Sequence, residues 1–161
     1  MHKLLLTILI AASLMLGPIV VSANTVIEHV RSASCRVTVS DGSGSASVVR
    51  RSNGFAFVLT CAHVVDNERP IYLDSIAWGG EATILRRDVD MDLALLVCKP
   101  DKYDNVKTLK LADKELEVGD NVLAACAPLG IPLIVIHGKL ARERVSLVLG
   151  EMMVLDLAGG A

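Results

Sequence analysis

Phe55-Ala-Phe-Val-Leu-Thr60-Cys-Ala-His63-Val-Val-Asp66 is the stretch whose reading decides the fold. Its first half is short, apolar and rich in aliphatic and aromatic residues, and it is entered through Ser52-Asn53-Gly54. That combination reads as a buried strand rather than a helix, with Asn-Gly as a strong two-residue hairpin turn. Ser45–Arg50 is then the partner strand across the turn, and the hairpin delivers His63 just after a rigid element. An imidazole in that place is fixed at its base and still reaches a cleft. The alternative is a satisfied core histidine at a strand end.

Working outward, Cys35–Val39 alternates as a half-buried strand, and Asp41-Gly42-Ser43-Gly44 punctuates the chain before the hairpin. Asn24–Ala33 is weakly patterned and reads as a short helix or an arm. Past His63, Val64–Arg69 suits a short turn of helix, and Pro70–Leu73 and Glu81–Arg87 read as two further strands. The second informative stretch is Asp88-Val-Asp90-Met-Asp92-Leu-Ala-Leu-Leu-Val-Cys98. Acidic residues stop at Asp92 and a continuous apolar strand begins, so Asp92 can be covered by the fold while facing the imidazole loop. Asp88 and Asp90 read as solvated loop acids. Lys99–Lys107 looks like a link, followed by strands at Asn121–Ala127, Leu133–Leu140, Val145–Leu149 and Met152–Leu157, the last two turning at Gly150. His137 has no acidic setting comparable to that of Asp92 and is read as structural.

Composition narrows the possibilities. The 161 residues are 52% apolar, enough for a real core, and 21% charged with a net charge of −2. With no basic block and no interleaved basic and aromatic pattern, nucleic acid is not an expected partner. Met1-His2-Lys3 is a short basic start, Leu4–Leu16 is almost wholly apolar, and Val21-Ser22-Ala23 offers small residues at a signal-peptidase spacing. Residues 1–23 are therefore expected to be a signal peptide, making the protein secreted or periplasmic with no stable membrane association after cleavage. The alternative is an uncleaved membrane anchor, since Leu4–Val21 is nearly long enough to span a bilayer. Four cysteines in an exported chain allow three full pairings. Cys35, Cys61, Cys98 and Cys126 show no Cys-x-x-Cys pair and no zinc-ligand spacing. They are read as buried small apolar residues, and neither a metal nor a cofactor is expected.

Thr60-x-Ala-His-Val-Val65 resembles the histidine segment of the trypsin-like serine proteases, closest to the bacterial HtrA/Deg type and related phage and bacterial peptidases. The glycine-serine turn, the hairpin around Asn-Gly and the histidine follow in the family's order. Asp92-Leu-Ala-Leu-Leu96 matches the setting of the family's aspartate, at a similar distance after its histidine. Leu111–Asp120, ending in Val118-Gly-Asp120, resembles the segment that opens the second barrel, while Pro128-Leu-Gly130 matches the next loop only in part.

The fold this implies is all-β, a chymotrypsin-like double β-barrel with the first barrel (24–100) complete and the second (101–161) partial. The implied activity is serine endopeptidase action on protein or peptide substrates. His63 would be the general base and Asp92 its orienting partner, because a serine hydroxyl needs a base to take its proton and a carboxylate fixes the imidazole tautomer. The family's nucleophile stands in Gly-x-Ser-Gly-Gly, and no serine here has that context; Ser43, in Gly-Ser-Gly, is a turn residue. The resemblance thus implies a chain truncated before the serine, inactive on its own, with exposed strand edges open to self-association. A non-catalytic secreted binding module and a serine supplied by another chain stay open beside that reading.

Overall fold

The computed structural model describes residues 23–65, 70–131, 133–147 and 150–157. The expected signal peptide lies outside them except for Ala23, which opens helix α1, Ala23–Ser32. No helix among the described residues is long and apolar enough to cross a membrane.

Six strands follow α1: β1 (Ser34–Val39), β2 (Gly42–Ser52), β3 (Phe55–Thr60), β4 (Ile71–Asp74), β5 (Gly79–Asp88) and β6 (Leu93–Cys98). They form a closed antiparallel barrel in the order β1-β2-β3-β6-β5-β4, with β4 returning to pair with β1. Asn53 and Gly54 turn β2 into β3 with φ of 52° and 81°, the left-handed backbone that asparagine tolerates and glycine adopts without strain.

Alternation then fills the barrel. In β3, Ala56, Val58 and Thr60 point inward; in β6, Ala94, Leu96 and Cys98 do so, and the register sets Val58 opposite Leu96 and Ala56 opposite Cys98. Cys35, Val37, Val48, Ile71, Leu73 and Trp78 complete the core, with Leu96 and Val58 fully buried. Thr60, the inward-pointing polar residue at the end of β3, donates its Oγ1 hydrogen to the Ser45 carbonyl at 2.9 Å, so it is not left unpaired.

β2 begins at Gly42, earlier than the sequence suggests, because Val39, Thr38 and Val37 of β1 pair with Gly42, Ser43 and Gly44. The glycine-serine segment is part of the strand rather than its punctuation. Gly44 is also where the barrel wall meets the next segment. A Cβ there would lie 2.7 Å from both methyl carbons of Val64, a clash no side chain tolerates without displacement.

The chain stays tied to the barrel after β6. Val106 is buried in the barrel core, the Arg51 guanidinium donates to its carbonyl at 3.0 Å, and the Leu109 amide donates to Val48 O at 2.8 Å. Beyond this, β7 (Asn121–Cys126), β8 (Ile134–Leu147) and β9 (Gly150–Leu157) form a three-stranded antiparallel sheet in that order. Here Leu133–Leu140 and Val145–Leu149 are not two strands. The polar run Ala141-Arg-Glu-Arg144 breaks the apolar pattern but not the ladder, and β8 pairs with β9 across two irregularities between Leu140 and Val145.

The sheet leans on the barrel through a few polar ties. Arg36 donates to the Gly130 carbonyl at 2.7 Å while pairing with Asp74 at 2.9 Å, and the Ala127 amide donates to Ser45 Oγ at 2.9 Å. The architecture is mostly β, a closed barrel followed by a partial second sheet, consistent with a chymotrypsin-like fold.

Candidate active site

β3 ends at Thr60, and Ala62–Val65 forms one 3-10 turn immediately after it. Ala62 and Val65 are buried on this turn, so it is pinned from below while His63 projects with its side chain 70% exposed. Val64 packs against the barrel core under Gly44, which fixes the turn from the β2 side.

Asp92 approaches from the β5–β6 connection. Its amide donates to the Val89 carbonyl at 3.2 Å, closing a tight turn, and its φ is 50°, a left-handed value that aspartate tolerates better than most residues. Its carbonyl accepts from the Ala62 amide at 3.1 Å, so the two loops are stitched together backbone to backbone. Strain of this kind persists only where neighbouring structure over-determines it, and it concentrates at functional sites.

The two side chains predicted from sequence are brought into direct contact. His63 Nδ1 lies 2.7 Å from Asp92 Oδ2, and the His63 backbone N–H donates to Oδ1 at 2.9 Å. An ionised carboxylate can only accept, so Nδ1 carries the hydrogen and the neutral ring keeps its lone pair on Nε2. Two donors on one carboxylate favour its charged form. The His63 amide, and then the imidazole, hold the Asp92 carboxyl below the usual carboxylate range against the weaker opposing effect of desolvation.

Cys61 is the residue whose setting the sequence reading missed. It is exposed rather than buried, because Thr60 takes the last inward position of β3 and the next side chain leaves the barrel on the other side. Partial burial and the Asp92 carboxylate, to which the thiol is hydrogen-bonded, push its pKa up. Cys61, His63 and Asp92 each offer a ligand atom within 4.8 Å of the others, and no other such group of three or more occurs among the described residues. Only the position of a cysteine two residues before His63 could have signalled this. Of the remaining cysteines, Cys35 and Cys98 are buried as expected, Cys126 is half-buried, and all four are free. Burial pushes the Cys98 thiol up to about 11.

Beside the pair lies an open, mainly apolar hollow of about 230 Å³, bounded by Ser45, Ser47, Leu59, Cys61 and Leu93. Asp88 lines a second hollow with Leu59, Arg86, Leu93 and Leu95. Ser43 lies on β2 and His137 on β8, and neither has a hydrogen bond with His63 or Asp92.

A barrel that presents an imidazole on a carboxylate at its rim defines a class, the chymotrypsin-like hydrolase fold. The family model of the trypsin-like peptidase domain matches residues 42–159, and the chain belongs to that family. Among solved structures, it is similar to the inactive form of a serine-to-alanine mutant of Rv3671c from M. tuberculosis, with 22% identity and a TM-score of 0.65 over 81% of this chain and 60% of that one. It is also similar to the serine endoprotease from Yersinia pestis, at 22% identity and a TM-score of 0.62, covering 74% of this chain and 44% of that one. At such identities the likeness is one of fold. The chain spans less than two thirds of the length of either structure. No curated protein matches it.

Proposed function

We propose that this chain carries the base and orienting half of a serine endopeptidase, with His63 as general base and acid and Asp92 as its partner. The single observation behind this is the Nδ1 to Oδ2 hydrogen bond of 2.7 Å, reinforced by the His63 amide on the other carboxylate oxygen. In that arrangement Nε2 takes the proton from an attacking serine hydroxyl, the imidazolium is stabilised by Asp92, and the proton is returned to the leaving amine. The nucleophile and the amides of its oxyanion hole come from residues outside this sequence, because no Gly-x-Ser-Gly-Gly occurs within it. Substrates are proteins or peptides, met outside the cytoplasm. The 161-residue chain alone is inactive.

Sequencing the reading frame past codon 161 and treating its product with a fluorophosphonate probe tests this. Labelling of that product, lost in His63→Ala and never seen with residues 1–161 alone, is the expected result. A stop codon directly after Ala161 would favour a non-catalytic binding module instead, and labelling indifferent to His63 would remove His63 as the base.

A further inference from the structure

Cys61, His63 and Asp92 bring three different donor types to one exposed spot: a thiol sulfur, an imidazole nitrogen and a carboxylate oxygen. We propose that they form a site for a borderline transition-metal cation of the Zn²⁺ class, bound on His63 Nδ1 in place of the His63–Asp92 hydrogen bond. The donor set selects the ion. Sulfur and imidazole favour zinc, cobalt or cadmium, whereas magnesium and calcium want oxygen alone.

Geometry permits it with small movements. Zinc bonds of about 2.0–2.3 Å in a tetrahedron set ligand atoms about 3.4 Å apart. The closest pair here is 2.7 Å apart and all three atoms lie within 4.8 Å, so the natural spread straddles the required one. His63 sits on a turn that keeps its side chain 70% exposed, and Asp92 is 48% exposed, so both can rotate without disturbing the core. Asp92 Oδ1 stays bonded to the His63 amide while Oδ2 turns to the metal, an outer-sphere tie of the kind that orients metal ligands.

The fourth position is open to water. Binding moves no electrons: the S–H bond breaks, its proton going to solvent as a metal–sulfur bond forms, and the Nδ1 proton passes through solvent to Nε2 as the Nδ1 lone pair turns to the metal. With Nδ1 on the metal the ring proton sits on Nε2, and the imidazole can no longer serve as a base. If the proposed endopeptidase role holds, the metal is a reversible inhibitor of it; the binding itself does not depend on that role.

Titrating the reduced 161-residue chain with Co²⁺ and reading the thiolate-to-cobalt charge-transfer absorption tests the site without any activity assay. One Co²⁺ per chain is expected, displaced by Zn²⁺, with the band lost in Cys61→Ser and Cys61→Ala and the affinity lowered at least about tenfold in His63→Ala and Asp92→Asn. Near-ultraviolet dichroism matching the native chain certifies that the serine variant is folded. No band in the native chain, or a band that survives in folded Cys61→Ser and so belongs to another cysteine, overturns the proposal. The same titration leaves the fluorophosphonate result untouched, so the two assignments fail separately.

Discussion

In the barrel every strand is paired on both sides, whereas in the sheet that follows only β8 is, with β7 and β9 each bonded along one edge. Burial follows pairing. β3 and β6 place every second residue in a closed interior, while no residue of β7 is buried. Both regions are runs of apolar strands, and among the described residues the contiguous core cluster lies in the barrel. The difference teaches where the chemistry can sit: His63 and Asp92 both hang from the rim of the closed region, on loops stitched by Ala62 N–H to Asp92 O. Positioning to within hydrogen-bond length demands a rigid scaffold, and closure provides it.

That contrast can be broken by mutation, and the largest effect on stability is expected in the barrel. Leu96 is fully buried opposite Val58 and Ile84, so Leu96→Ala should cost about 2–5 kcal/mol in a denaturant melt. Val122→Ala, on half-buried β7, should cost about 1 kcal/mol or less. Equal costs at the two sites would mean that the sheet has a core of its own.

Gly44→Ala probes the wall beneath the site. The new methyl meets both Val64 methyl carbons at 2.7 Å, next to His63, and overpacking of this kind costs about 1–3 kcal/mol. The His63 imidazole resonances should shift while those of β4 stay put; unmoved imidazole signals would show that the turn absorbs the methyl freely.

Arg36→Ala cuts the tie between regions. Its guanidinium bridges Gly130 O and Asp74 but is partly exposed, so about 1 kcal/mol is expected. Hydrogen exchange should quicken in β7 and the facing part of β8 and not in β3 or β6. Uniform quickening would mean that the regions unfold as one unit.

The smallest effect is the acid response of Asp92. Its carboxyl sits below its ordinary 3.8 when folded. The unfolded chain therefore binds a proton first on acidification, and the stabilisation is full above about that value and lost as pH falls through the folded one. Asp92→Asn should flatten this portion of the acid limb of the stability curve. An unchanged limb would remove the charge from the pair.

Much of this was legible in the residues and some was not, for identifiable reasons. Asn53-Gly54 and the alternation of β3 are local, so the hairpin and its phase follow from a few neighbours. The boundary at Asp92 is equally local, a change from acidic loop to apolar strand. What the sequence hid depends on partners far along the chain. Gly42-Ser43-Gly44 looks like a turn until β1 pairs with it, and β8 looks interrupted at Ala141–Arg144 until β9 continues the ladder. Cys61 has the composition of a core residue, and only its place one step past Thr60 turns it out toward Asp92. The left-handed φ of Asp92 likewise arises from the loop closure, which no pattern of hydrophobicity encodes.

The most direct test is kcat/KM for peptide hydrolysis by the product of the complete reading frame, native against Asp92→Asn. A fall of about 10⁴-fold in a variant that stays folded at the assay temperature is expected if the carboxylate holds His63 in its working tautomer. A folded variant that keeps more than about a tenth of the native rate would contradict the pairing of His63 and Asp92 as the machinery of this protein.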